Sequence, residues 1–545
     1  MTDTVFEGYP RARRAALIGA ALAAMLCGGG AMAAPSAATC VALAGVTFAP
    51  ERIGLPTGGA AVTSARLESV GGSAGEACIL LGRIAPVDRT APPITFELNL
   101  PTRWNHRAVQ LGGGGFDGFL VTGRLVMLLP KDKDPLPNGY ATFGSDSGHR
   151  AGDGTPMTAV ADAAFAENPE ALDNFAGAQV KKTHDVALAL IRRYYGASPA
   201  HVYFYGNSEG GREGLVAAQR YGGDYDGVVS IHPAYNFVRL QLGGLTVGKA
   251  IYSTPGAWLS PADTALIAKA ALERCDGLDG LADGVIANLA ACRAVFDAGS
   301  LLCNPAASAA PCLTLAQVRA VRAIAAPSDI GAQIDGTNTF PGWPVLEGAF
   351  STPGLAGFGH SPSPSTPPNL GDAFIYVMAD QGVKHFFVHD PAATGLTFDP
   401  AAHAEAMRAV AAKLDAVSSD LDAFTRHGGK LLMMHGTIDM AIPPGNSIDY
   451  FLALRTRYGA RLPGFARFYL AAGFGHVDGA FQVNWDSLAA LDAWVGAGRA
   501  PGPQIVADAS PAHAGRTRPL CEYPLWPRYK GAGNPDAAAS FDCVK

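Results

Sequence analysis

The chain has 545 residues, of which 48% are hydrophobic and 16% are charged, so it can bury a large core and divide into more than one domain. This composition excludes a mainly disordered protein. The formal net charge of -6 provides no clustered basic surface for phosphate groups, so we expect no nucleic-acid partner.

The first 33 residues have the pattern of an export signal. A basic cluster is followed by an apolar run and a small-residue cleavage site, in the order Arg11, Arg13 and Arg14, then Ala15 to Leu26, then Ala31-Met32-Ala33. We therefore predict a signal peptide over residues 1–33 and a secreted or periplasmic protein. A lipoprotein signal at Cys27 is the alternative, which the large preceding residue Leu26 disfavours. No later stretch is apolar for long enough to span a membrane.

Setting aside Cys27 leaves an even number of cysteines, which is typical of disulfides in an exported chain. Many connectivities are possible, and neighbours along the chain favour the pairs Cys40–Cys78, Cys275–Cys292, Cys303–Cys312 and Cys521–Cys543. Buried free thiols are the alternative, but they suit an oxidising compartment poorly. Zinc is disfavoured because no C-x-x-C or C-x-x-H pair occurs.

Residues 34–235 have the pattern of an α/β core. Apolar runs end in glycine-rich loops, and helical periodicity alternates with them, which gives predicted strands at 107–111, 140–143, 201–205 and 227–231 and predicted helices at 173–195 and 211–221. Strand, turn, helix and strand in succession indicate a βαβ unit in a parallel sheet.

Residues 236–419 interrupt this alternation. The segment is rich in Gly, Pro and Ala, and it contains a Pro-rich loop at Ser361 to Pro368. Alternation returns over residues 420–545, with predicted strands at 430–434 and 465–470 and predicted helices at 447–458 and 481–495. We therefore predict a hydrolase core that is split by a large inserted lid domain at 236–419.

The segment Gly206-Asn207-Ser208-Glu209-Gly210 matches the G-x-S-x-G nucleophile elbow, and it lies between a predicted strand and a predicted helix as that motif requires. A serine hydroxyl is a weak nucleophile at neutral pH, so it needs a base to remove its proton. An ordinary glycine-rich turn is the alternative. We predict that Ser208 is the nucleophile.

Asp439 and His476 each follow a predicted strand, in the order Ser, Asp, His that is typical of α/β-hydrolases. We predict that they complete a catalytic triad. His513 follows no strand, while His435 and His232 lie too close to strand ends to reach over the serine.

The oxyanion of the reaction needs hydrogen-bond donors. We predict the backbone N–H of Glu209 and a donor from the glycine loop 112–115, with Gly113 and Gly114 as the candidates. Asp146 and His149 either line the pocket or form structural hydrogen bonds.

The lid contains three carboxylates at short spacing, separated by glycines, between Asp276 and Val285. Such a loop can wrap one hard cation, and Ca²⁺ is the natural choice outside the cell. The predicted ligands are the side chains of Asp276, Asp279 and Asp283 and the carbonyls of Leu281 and Val285. Two Asp-Gly turns on a solvated loop are the alternative.

These motifs together resemble the tannase and feruloyl esterase family, which includes hydrolases of mono(2-hydroxyethyl) terephthalate. The resemblance covers nearly all of the chain after the signal and is carried by Trp104-Asn105, Gly112 to Gly115, Gly206 to Gly211, Asp276 to Val285, Asp439 to Pro444, Gly475-His476 and Trp494. It implies an α/β-hydrolase fold, a calcium-binding lid that makes most acyl-group contacts, and hydrolysis of esters of aromatic acids.

The sequence departs from the family pattern at the two catalytic loops. Many members have a disulfide between a cysteine before the serine and another after the histidine, and here those residues are Asn207 and Val477. Asn207 could replace the tether by hydrogen bonds.

Terephthalate monoester hydrolases of this family use a lid arginine to bind the free carboxylate. Between Ala323 and Met407 the chain has no arginine, and Lys384 is the single lysine. We therefore expect neutral acyl groups of the feruloyl or galloyl type. Hydrolysis of the terephthalate monoester or another aromatic polyester fragment is the alternative, and amidase or polyester hydrolase activity is a further one. A non-catalytic binder of aromatic esters is the alternative of another class. The sequence does not determine the oligomeric state.

Overall fold

A ten-stranded sheet runs through the computed structural model, which describes residues 36–124, 126–152, 154–155, 159–304, 311–350 and 357–545. The predicted signal peptide lies outside the described residues. The strands, in chain order, are β1 (Thr47–Phe48), β2 (Ala60–Gly71), β3 (Gly75–Ile84), β4 (Ile94–Pro101), β5 (Arg107–Leu111), β6 (Ala141–Ser145), β7 (His201–Asn207), β8 (Gly227–Ile231), β9 (Ser328–Ile334), β10 (Thr337–Phe340), β11 (Lys430–Gly436), β12 (Ala466–Ala471), β13 (Val483–Asn484), β14 (Gln504–Asp508), β15 (Thr517–Leu520), β16 (Trp526–Tyr529) and β17 (Phe541–Val544).

Helices flank this sheet and make up much of the inserted segment. In chain order they are α1 (Ala37–Val41), α2 (Pro169–Asp173), α3 (Gln179–Tyr195), α4 (Glu209–Arg220), α5 (Phe237–Tyr252), α6 (Pro261–Cys275), α7 (Leu289–Val295), α8 (Leu315–Ala325), α9 (Phe374–Gln381), α10 (Ala404–Leu414), α11 (Asp422–His427), α12 (Pro444–Tyr458) and α13 (Ser487–Ala497). Two π-helical segments, Asn174–Ala178 and Gly382–Val388, adjoin α3 and α9.

The sheet has the order β1-β2-β3-β4-β6-β5-β7-β8-β11-β12. The six strands from β6 to β12 in that order are parallel, and β1 to β4 extend the sheet with antiparallel pairs. Successive side chains alternate between two hydrophobic clusters, so that Phe204 packs with α4 and Tyr205 packs with α13. Because both faces are covered, the parallel strands are buried, as the sequence predicts for an α/β core.

The inserted segment folds into α5 to α10 and the β9–β10 hairpin. Its hydrophobic cluster includes Phe237 and Phe386, and it continues into Phe116 and Met440, which belong to the two parts of the hydrolase core. The segment Ala34–Lys545 is one compact unit by its contacts. The boundaries at 236 and 419 therefore remain a prediction from sequence.

The predicted elements agree with the structure to within a few residues, except at two helix starts. The prediction of a helix from 481 is wrong, because Val483–Asn484 pairs with β14 and Asp486 caps a helix that begins at Ser487. The predicted helix from 173 is regular only from Gln179, because Gly177 adopts a φ of 131°.

All four predicted disulfides are present: Cys40–Cys78, Cys275–Cys292, Cys303–Cys312 and Cys521–Cys543. Within the described residues no helix has the length and apolar character needed to cross a membrane.

Candidate active site

Ser208 lies in the sharp turn between β7 and α4. Its backbone has φ 64° and ψ -122°, a conformation that costs energy for a residue with a Cβ. The flanking glycines make the turn possible, because a Cβ at Gly206 would overlap the carbonyl oxygen of Gly210, and one at Gly210 would lie 2.8 Å from the carbonyl oxygen of Gly113. The local geometry is therefore that of a nucleophile elbow.

His476 and Asp439 meet at the carboxyl edge of the sheet, beyond β12 and β11. His476 Nδ1 lies 2.7 Å from Asp439 Oδ2, while Asp439 Oδ1 accepts hydrogen bonds from the amides of Ala441 and Ile442. Burial alone lowers the pKa of His476, but the Asp439 carboxylate outweighs this effect and raises it above 6.5. The contact of His476 with Asp439 through Nδ1 leaves Nε2 as the ring nitrogen available to a substrate or nucleophile.

Ser208 and His476 line the same cavity, which has a volume of about 440 Å³. Among the described residues no hydrogen bond joins Ser208 Oγ to His476. Catalytic hydrogen bonds often shorten only when substrate is bound, so the shared cavity is the relevant observation.

The structure distinguishes the two glycines that the sequence offers as oxyanion donors. The Gly113 N–H donates to Glu213 Oε2 at 3.0 Å, so its hydrogen bond is already used. Gly114 and Glu209 line the cavity, and their amides make no hydrogen bond with another described residue. A Cβ at Gly114 would meet nothing within 4 Å, so this side of the loop is open.

A buried group of charged side chains supports the elbow from below. Arg212 is fully buried, pairs with Glu209 at 2.7 Å, and donates to the Leu414 carbonyl at the end of α10. Burial and the neighbouring Glu209 raise the pKa of Glu213 to about 7, and burial raises that of Asp117 well above its usual range. Glu209, Arg212 and Glu213 are neighbours on α4, but their meeting with Asp117 and with the Leu414 carbonyl depends on the fold and was not predictable from the sequence.

Two histidines that we set aside as bases are nevertheless close to Asp439. His435 Nε2 lies 3.4 Å from Asp439 Oδ2, and its Nδ1 lies 2.7 Å from Ser447 Oγ. His232 is fully buried, its Nδ1 lies 2.8 Å from Asn207 Oδ1, and its ring is 5.2 Å from that of His476. The sequence could have indicated them, since His232 directly follows β8 and His435 lies at the end of β11, at the edge of the parallel sheet where ligands bind.

Asp146 and His149 have structural roles. Asp146 Oδ1 accepts hydrogen bonds from the amides of Thr95 and Gly148. The ring of His149 stacks on Phe165 at 3.6 Å, and neither Asp146 nor His149 lines the cavity.

The cavity wall is mainly apolar. Among the described residues that line it, Glu209 alone is an Asp, Glu, Lys or Arg, and its carboxylate faces Arg212. The lid contributes six lining residues: Phe237, Leu240, Gln241, Phe374, Ile375 and Met378. Such a cavity accommodates an uncharged ring.

The predicted calcium loop follows α6. In the described part of the chain, Asp276 and Asp279 accept hydrogen bonds from backbone amides and contact no Lys or Arg, whereas Asp283 pairs with Arg518 of β15. Two of the three carboxylates therefore have no cationic partner among the described residues, and the three Asp side chains are not among the described groups whose ligand atoms lie within 4.8 Å of one another. The described residues that do converge within 4.8 Å of one another as possible ligands are His232, Asp439 and His476.

A strained serine between strand and helix, an acid and a histidine on later loops, and a parallel sheet covered on both faces define an α/β-hydrolase. A model of the family described as "Tannase and feruloyl esterase" matches residues 78–544. The chain therefore belongs to the tannase and feruloyl esterase family, and it is a carboxylic ester hydrolase.

Individual relatives agree with this assignment. The chain is 38% identical over 536 residues to an uncharacterized esterase of Agrobacterium fabrum, covering 94% of this chain and 95% of that protein. It is 31% identical over 532 residues to the mono(2-hydroxyethyl) terephthalate hydrolase of Piscinibacter sakaiensis, covering 86% and 85%. The crystal structure of feruloyl esterase B from Aspergillus oryzae has the same fold, with a TM-score of 0.75 and 22% identity over 93% of this chain and 100% of that chain.

Proposed function

We propose that this protein is an exported serine esterase that hydrolyses esters of neutral aromatic acids, of the feruloyl or galloyl type, through an acyl-enzyme. The observation that carries the proposal is the opening of the Ser208 elbow and the His476–Asp439 pair into one apolar cavity. The four disulfides favour an oxidising compartment, and the export signal remains a sequence prediction.

The proposed reaction has two steps. Ser208 Oγ attacks the ester carbonyl while His476 takes its proton, and the oxyanion accepts hydrogen bonds from the amides of Glu209 and Gly114. His476 then gives the proton to the leaving alcohol. Water, activated by the same histidine, attacks the acyl-enzyme, releases the aromatic acid and restores Ser208. Asp439 stabilises the protonated His476 that forms in each step.

The proposal is tested by Ser208→Ala and by a fluorophosphonate probe. We expect Ser208→Ala to lower kcat for p-nitrophenyl acetate by about 1000-fold or more and to abolish labelling. Circular dichroism and the melting temperature of the variant should match those of the wild type. Unlabelled wild-type protein with unchanged aromatic-ester binding would instead indicate the non-catalytic binder.

The acyl preference rests on charge. A terephthalate monoester would bring a carboxylate into a cavity whose described lining contains no Lys or Arg, and burying an unpaired charge is costly. We expect methyl ferulate and methyl gallate to have higher kcat/KM than mono(2-hydroxyethyl) terephthalate. The reverse order would favour the second candidate function, which the Piscinibacter sakaiensis relative supports.

We propose that Asp276, Asp279 and Asp283, with the carbonyls of Leu281 and Val285, hold a structural Ca²⁺. The support is the surplus of carboxylate over cationic groups in this loop. A ligand that binds only the folded state raises its stability. EDTA should therefore lower the melting temperature, and Ca²⁺ should restore it; an unaltered melting temperature would remove the metal from the proposal.

We also propose that the two catalytic loops are linked here without a covalent bond. Asn207 and Val477 cannot form the disulfide that the family resemblance implies. Asn207 instead bonds to His232, whose ring packs against that of His476. This path connects the residue before the nucleophile with the proposed base.

A further inference from the structure

Gln241 differs from its neighbours on the lid wall of the cavity. It lies on α5, and among the described lid residues that line the cavity it is the one with a polar side chain. The residue is only 4% exposed, and its side-chain amide makes no hydrogen bond with another described residue. Its stem is packed, because a Cβ at Gly382 would lie 3.2 Å from Gln241 Cγ. The amide is therefore held at the cavity surface without a protein partner.

The Gln241 amide lines the cavity and has no protein partner among the described residues, so it is available to a ligand. A polar group in an apolar wall is favoured when the ligand supplies a hydrogen bond. Two polar side chains beside the serine are already bonded, since Asn207 pairs with His232 and Glu209 pairs with Arg212. Gln241 thus offers one acceptor and two donors to whatever fills the cavity.

We propose that Gln241 is a specificity-determining residue that hydrogen-bonds a hydroxyl group on the aromatic ring of the substrate. A ring hydroxyl is neutral and can both donate and accept, which suits the amide and the uncharged wall. A ring carboxylate would receive a hydrogen bond but no balancing cation. The proposal rests on the proposed function, because it deepens the substrate class of the same site.

The test compares methyl 4-hydroxycinnamate with methyl cinnamate, which differ only in the ring hydroxyl. We expect the wild type to prefer the hydroxylated ester in kcat/KM, and Gln241→Met, which keeps the length of the side chain but removes its amide, to lower that preference about tenfold, the effect of one hydrogen bond. Most of the change should appear in KM, because the hydroxyl is remote from the reacting carbonyl.

Thr246→Val is the matched control on the same helix, since Thr246 does not line the cavity. We expect this variant to keep the wild-type preference. Equal kcat/KM for the two esters in the wild type would overturn the proposal, and so would an equal loss on both esters in Gln241→Met, which indicates a structural role. Failure of the proposed function is seen separately, as absence of fluorophosphonate labelling at Ser208 in the wild type.

Discussion

The carboxyl edge of the sheet and the lid wall face each other across one cavity, and they differ in how their polar groups are satisfied. At the sheet edge, Asp439 accepts hydrogen bonds from two amides and from His476, and Arg212 is bonded to carboxylate and carbonyl groups. On the lid wall, Gln241 is unpaired among apolar neighbours. This difference matches the two proposed roles, catalysis at the sheet edge and choice of the acyl group at the lid wall. Variants at the sheet edge should lower kcat for all esters by a similar factor. Variants on the lid wall should change the ratio of kcat/KM between esters.

The largest effect is expected for Asp439→Asn. This change leaves the side-chain volume unaltered but favours the wrong tautomer of His476, and the same substitution in serine proteases lowers kcat about 10,000-fold. We expect a loss of about 1000-fold or more in kcat for aromatic and acetyl esters together. A loss confined to one class of ester would contradict the division between edge and lid. Thermal melting provides the control for folding, because His435 also contacts Asp439.

A smaller loss of activity is expected when the glycine loop loses the hydrogen bond between the Gly113 N–H and Glu213. Glu213→Leu removes the acceptor of the Gly113 N–H and leaves that part-buried amide without its protein partner. The neighbouring Gly114 would then be misplaced, so we expect kcat to fall about 10- to 100-fold for all esters, with less change in KM. Glu213→Gln keeps an acceptor oxygen and should retain most of the activity. Equal rates in the Leu and Gln variants would show that this hydrogen bond does not position the loop.

The sequence predicted the parts of the site that are encoded in contiguous segments. Ser208 was identifiable because strand, glycine turn and helix follow one another in the chain, and Asp439 and His476 because each follows a strand. The sequence could not distinguish Gly113 from Gly114, because the Glu213 carboxylate that accepts the Gly113 N–H is distant in sequence. Gln241 was not predictable, because a glutamine in a helix is common and only the folded structure places it on a cavity wall.

The lid shows the same limit at the level of the fold. Its composition, rich in Gly, Pro and Ala, did not indicate the regular helices α6 and α8. Each of these helices begins with a capping box. Those helices are stabilised by a hydrophobic cluster that draws residues from both parts of the core. Periodicity within one segment cannot report such a shared cluster.

A still smaller effect is expected at the noncovalent link between the catalytic loops. Asn207→Ala removes the partner of His232 Nδ1, which is buried, and so should destabilise the protein by about 1–2 kcal/mol. We expect a lower melting temperature and a decrease in kcat of several-fold for all esters. Asn207→Asp keeps an acceptor oxygen and serves as the comparison. Unchanged activity and melting temperature in Asn207→Ala would remove Asn207 from the link.

The smallest change is a shift of the pH profile. Burial lowers the pKa of His476, but the carboxylates of Asp439 and Asp478 raise it by more than burial lowers it. The net pKa therefore lies above 6.5. His476 must be neutral to accept the Ser208 proton, and kcat/KM should therefore fall as the pH decreases through a pKa above 6.5. His232 does not compete for this proton, because burial holds its pKa well below 6.5.

In Asp439→Asn the acidic limb of the pH profile should move to lower pH, because the carboxylate that raises the pKa of His476 is absent. Gln241→Met should leave the limb in place, since the lid wall has no charged group against His476 in its described lining. If the acidic limb shifted in Gln241→Met, the lid would take part in proton transfer. That result would contradict the division of roles between the sheet edge and the lid wall.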